Sequence, residues 1–184
     1  LMIGPMEGFA DAWGSEFLKT TYGLDGKTAN YFTSLIYVGM CFAPILSRIA
    51  EKTGRFVETI AGAGFVMLVV FSLLMAGALT KTTIMMGFFF VGLCCAYQVL
   101  AIYQASTYVP ENVAGLTTAV ANMIIMSFGY FFHSTIGYVT QYFTLSGNPA
   151  AVFYGISVIP LAILVAVLGF LWISILDKPS RLTY

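Results

Sequence analysis

Glu7 and Asp11 stand four residues apart in an otherwise mostly apolar stretch at the start of the chain. On a helix, positions i and i+4 share a face, so the two carboxyls lie one turn apart. A carboxyl group held inside an apolar layer can take up and release a proton near neutrality, or pair with a cationic group. Tyr37, Tyr97, Gln98 and Asn122 also interrupt apolar runs and supply hydrogen-bonding groups for a solute. His133 is the only histidine, and it suits either a proton relay or gate or a hydrogen-bonded structural role. These groups do not form a catalytic set. No Ser-His-Asp spacing converges, and there is neither a Walker-type phosphate loop nor a metal-ligand cluster, so an enzyme, a cofactor and a metal are not expected.

The elements that position these residues follow from composition. The chain is 59% hydrophobic and 9% charged, with a mean hydropathy of +0.90. A soluble fold of this size lacks the interior to hide so much apolar surface. The expected class is an all-α integral membrane protein. The runs are continuous and lack period-two alternation, which favours helices over barrel strands. Six spans are expected in a single domain over 1–184, at about 1–22, 28–47, 59–80, 83–107, 113–142 and 150–176. Each is near the roughly 20 residues that cross a bilayer. A net charge of zero gives no attraction to nucleic acid. Cys41, Cys94 and Cys95 all lie in apolar runs and read as small buried hydrophobes. The chain opens at Leu1 in mid-run without an initiator Met or a basic leader, and so reads as a piece of a longer protein.

Orientation follows the positive-inside rule. If the first span runs outward from the cytoplasm, Arg48, Lys52, Arg55, Lys178 and Arg181 fall inside, and Lys19, Lys27 and Lys81 fall outside. Both chain ends are then cytoplasmic. Asp11 lies about ten residues, roughly 15 Å, from the outer end of its helix, near the bilayer midplane. Tyr37, on one face with Asn30 and Ser34, reaches similar depth, as do Tyr97, Gln98 and Asn122. The last belongs to a stripe with Met126, Gly129 or Tyr130, and His133. Gly4-Pro5 and Gly8 beside the acids predict an interrupted helix there. So the first, second, fourth and fifth spans are expected to line a water-filled cavity, with the third and sixth behind them against lipid. That is a transport architecture. Few fixed charges and many aromatics would suit an amphipathic or zwitterionic solute. Tyr108, Tyr142 and Trp172 are expected at the membrane interfaces.

Between the second and third spans lies the densest charged stretch, Ser47-x-x-x-Glu51-Lys52-Thr53-Gly54-Arg55-Phe56. It resembles the cytoplasmic loop motif Gly-x-x-x-Asp-Arg/Lys-x-Gly-Arg-Arg of the major facilitator superfamily. Ser47 replaces the leading Gly, and Phe56 replaces the last basic residue. Two further stretches are similar to that superfamily: Pro110-Glu111-Asn112-Val113-Ala114-Gly115, and Trp13-Gly14-x-x-Phe17-Leu18-x-x-x-Tyr22-Gly23-Leu24.

The resemblance covers the whole chain and implies helices seven to twelve of a twelve-helix transporter, with the N-terminal half absent. It implies secondary active transport of a small organic solute across a bacterial inner membrane by alternating access, with proton coupling and nutrient uptake favoured. The partners it implies are the solute, protons, the lipid bilayer and the missing half. Drug or siderophore efflux is the nearest alternative, and a non-transporting membrane scaffold or assembly subunit is the alternative of another class. The expected solute and proton-coupling residues are Glu7, Asp11, Tyr37, Tyr97, Gln98, Asn122 and His133. Ser47, Glu51, Lys52, Gly54 and Arg55 are expected to form a conformational loop.

Overall fold

The computed structural model describes residues 2–177, and every regular element among them is helical. Lys178 and Arg181, two of the residues behind the expected orientation, lie outside the described residues. The helices run in six successive rods. The first joins α1 (Ile3–Gly8), a π-helical turn (Phe9–Trp13) and α2 (Gly14–Tyr22). The second is α3 (Gly26–Met40) followed by α4 (Ala43–Thr53), and the third is α5 (Phe56–Met75). α6 (Lys81–Cys95) and α7 (Tyr97–Thr107) make the fourth; α8 (Glu111–Leu145) and α9 (Ala151–Asp177) are the fifth and sixth.

Local chemistry sets several of these limits. Asp25 caps α3 by accepting the Thr28 N–H at 3.1 Å, and Thr80 with Thr83 forms a reciprocal capping box at the start of α6. α4 stops at Gly54, whose φ of +64° is a left-handed conformation that a side chain would oppose. Among the described residues, four helical segments are long and apolar enough to cross a membrane: α5, the α6–α7 pair, α8 and Ala151–Ile175. The α3–α4 pair also qualifies when taken as one span bent by 42°. The first rod is not among them, and it carries Glu7, Asp11, Glu16 and Lys19.

Three expectations are corrected. The first rod is not interrupted at Gly4-Pro5 or Gly8; it stays helical through all three and widens by one residue just after them. The second span is not one helix over 28–47, because a turn at Cys41-Phe42 divides it and Pro44 opens the next helix. The charged stretch is not a loop from Ser47: Ser47, Glu51 and Lys52 are helical, and Gly54-Arg55 alone makes the turn into α5. Ala, Leu, Glu, Lys and Arg are good helix formers, so the segment winds until a glycine ends it.

The centre is a group of phenylalanines. Phe9 meets Phe71 of α5 edge-on, with ring centroids 5.0 Å apart, and Phe88 of α6 at 5.5 Å. Phe17 packs beside them, and the Tyr22 hydroxyl donates to the Leu74 carbonyl at 2.7 Å, tying the first rod to α5. α3 and α6 cross at Gly39 and Gly92, where an added Cβ on either would land on the other helix's backbone. Small residues at a crossing let two backbones approach where hydrophobic driving force is weak, as in lipid. Among the four segments of membrane length, α8 is the least enclosed. Only 6% of its most apolar window is buried, against 44% for α5, so α8 rather than the third or sixth rod presents the most open flank.

Candidate functional site

The site begins with the π-helical turn. The Gly14 N–H bonds to the carbonyl of Phe9, five residues back, so Phe9–Trp13 forms a wide turn with one residue more than an α-turn holds. Such single-turn bulges recur at functional positions, because they re-aim side chains within a continuous helix. Here Phe9 turns inward and is fully buried, while Asp11 is exposed.

A second local feature brings α8 to the same place. Gly4 and Gly8 are spaced as a small-x-x-x-small pair. A Cβ on Gly4 would lie 2.7 Å from the Phe128 carbonyl, and one on Gly8 would lie 3.5 Å from the His133 backbone. Across the crossing, the Glu7 carboxyl lies against Gly129, where an added Cβ would make its Oε2 shift. The glycine spacing that signals this close crossing is visible in the sequence, where the same glycines also suggest a helix interruption.

The result is an open cleft of about 280 Å³ between the first rod and α8, lined by Glu7, Gly8, Asp11, Met126, Gly129, Tyr130 and His133. From α3, the Tyr37 hydroxyl donates a hydrogen bond to Asp11 Oδ1. Trp13 lies beside His133, with ring centroids 6.0 Å apart, and its indole N–H is buried without an acceptor among the described residues. The one ion pair among the described residues joins Lys19 to Glu16, further along the first rod. Neither Glu7 nor Asp11 therefore has a cationic side chain within 4.0 Å among them. No group of three or more potential metal ligands forms among the described residues.

Of the residues singled out from sequence, Glu7, Asp11, Tyr37 and His133 come together. Tyr97 does not join them. It is 5% exposed and lines a separate apolar cavity of about 420 Å³ with Met2, Ile3, Ile125 and Phe170. Gln98 is half-buried on α7 and Asn122 is exposed on α8; neither lines the Asp11 cleft. On α8 the residues that line the cleft begin at Met126, one turn beyond Asn122. Tyr130, 78% exposed, also lines the cleft, although the sequence offers it only as an alternative to Gly129 in the stripe.

The charged stretch forms a distinct region. Arg48, Glu51, Lys52 and Arg55 are all exposed, and Ser47 is half-buried. The Arg55 N–H donates to Thr53 Oγ1 at 3.4 Å, closing the turn, and a shallow groove of about 640 Å³ runs along Pro44, Ser47, Arg48, Glu51 and Lys52. Compared with protein-family models, with curated proteins and with solved structures, the chain finds no match.

Proposed function

We propose that this chain is one six-helix half of a secondary active transporter of the major facilitator type. It would carry a small organic solute across a bacterial inner membrane by alternating access, with protons coupled through Glu7 and Asp11. The observation that carries this reading is the cleft: two carboxyls one turn apart on a widened helix, faced by Tyr130 and His133 and reached by the Tyr37 hydroxyl. In this reading the first rod, for all its charge, crosses the membrane with its acids turned to the cleft. Acidic groups inside a membrane helix are costly and mark solute or proton pathways. A widened helix at the binding position matches the irregular helices through which transporters hold their cargo. The cleft is open on one side, and that open side and the exposed flank of α8 are where a second half would close the pathway.

The exposed charged turn at Gly54-Arg55 would sit at the inner mouth and act as a latch between conformations. The Arg55 guanidinium is free to meet the inner ends of neighbouring helices, whose last carbonyls carry partial negative charge.

The test is proton-linked flux by the intact protein in liposomes, scanned over pools of small solutes, with Asp11→Asn alongside. Flux that depends on Asp11 supports the reading. Flux no greater than that of empty vesicles across every pool would leave the scaffold alternative standing. The sign of the gradient that drives accumulation separates uptake from efflux.

A further inference from the structure

We infer that the solute held in the Asp11 cleft is a small organic ammonium ion. This rests on the transport reading of the same cleft and narrows it from any small solute to one charge class. The cleft contains two carboxyls one turn apart, and among the described residues no Lys or Arg lines it or pairs with either acid. Two like charges this close repel, and in a weakly polar layer the repulsion is poorly screened. A bound cation relieves both interactions at once, whereas an anion would add to them. A zwitterion would bring its own carboxylate among these acids, and among the described residues no Lys or Arg lines the cleft to receive it.

The rest of the lining agrees with an organic cation rather than a bare metal ion. Tyr130 lines the cleft and is 78% exposed, and Tyr37, 41% exposed, reaches it through its bond to Asp11, so aromatic faces are available to an ammonium group. The described residues form no group of three metal ligands. A cleft of about 280 Å³ admits a compact amine. The Tyr37 hydroxyl donates to Asp11 Oδ1, which keeps that carboxylate in place while its other oxygen stays free to meet the cation. Glu7, wedged against Gly129, supplies the second negative charge one turn deeper.

Equilibrium binding of radiolabelled choline to the purified intact protein tests the inference. Unlabelled ethanolamine, the uncharged isostere 3,3-dimethyl-1-butanol and the anion 3,3-dimethylbutyrate serve as competitors. Saturable choline binding is expected, displaced by ethanolamine, and unaffected by the alcohol or the anion at a hundredfold excess. Asp11→Asn should weaken choline at least tenfold; Glu7→Gln should also weaken it, and serves as the second variant if the first does not fold. Absence of saturable choline binding by folded protein would overturn the inference. So would displacement by the alcohol as effective as that by ethanolamine, or undiminished choline binding by both folded variants. Flux in liposomes, measured in parallel, separates the two claims. Asp11-dependent flux without choline binding removes the charge class and leaves transport, whereas choline binding without flux removes transport and leaves the cation site.

Discussion

Phe9 and Asp11 are separated by one residue and face opposite sides of the same widened turn. On the Phe9 side the helix is clamped: Phe17, Phe71 and Phe88 close around a ring with no exposed surface. On the Asp11 side it is open, with a cleft, one hydroxyl from α3 and the loosely enclosed α8. Rigid aromatic packing on one face fixes the turn, so the carboxyls on the other can be held in position while remaining accessible. Substitutions on the packed side should therefore cost stability, and substitutions on the open side should cost binding and flux.

The largest effect should come from the packing that brings the second and fourth rods together. Gly92→Leu places a side chain where the α3 backbone runs, and no relaxation of a flexible neighbour can absorb it. We expect a loss of about 4 kcal/mol or more, seen as failure to recover a monodisperse species on size exclusion in detergent. Next, Phe9→Ala opens a void among three rings and should destabilise by about 3 kcal/mol, with flux per folded molecule preserved. Thermal unfolding followed by tryptophan emission gives the first number, and normalised liposome flux gives the second.

Asp11→Asn sharpens the contrast from the other side. Its unfolding free energy should stay within about 0.5 kcal/mol of the parent, while flux falls at least about tenfold, equivalent to about 1.4 kcal/mol in the rate-limiting barrier. A loss of stability as large as that of Phe9→Ala would mean the open face is structural after all, and the contrast would dissolve.

The smallest effect lies outside both faces, at the cap of α3. The side-chain and backbone donors of Thr28 hold the Asp25 carboxyl below its ordinary range. Its folded value is thus lower than its unfolded one. The stabilisation is present above the unfolded value, about 3.9, and is lost as pH falls through the folded one. A slight fall in melting temperature on acidification toward pH 3 should be reduced in Asp25→Asn, which keeps the cap but carries no titrating group.

Much of this was legible beforehand. Helical class and the apolar rods follow from continuous hydrophobic runs, because only helices satisfy every backbone group within a single lipid-exposed segment. The pairing of Glu7 with Asp11 follows from helical periodicity, and counting residues puts Tyr37 level with Asp11, to which its hydroxyl bonds. Less legible were the turn at Cys41-Phe42 and the helical state of Ser47–Thr53, because charged residues suit a solvated helix as well as a loop. Tyr97 illustrates the limit. Its position along the helix was readable, but that says nothing about azimuth, and its ring lies in an apolar cavity away from the acids.

The sequence by itself determined that this chain is helical, that several of its rods are apolar enough to suit a membrane, and that two acids share one helix face in the first, more charged rod. Those properties depend on composition and local periodicity, which no distant contact needs to supply. Only the tertiary structure decided which partners those acids meet. The wide turn at Phe9–Trp13 sets the direction of Asp11, and the crossing at Gly4, Gly8 and Gly129 brings Tyr130 and His133 to its side. The rotation of one helix about its axis and the closeness of two backbones are settled by packing among residues far apart in the chain.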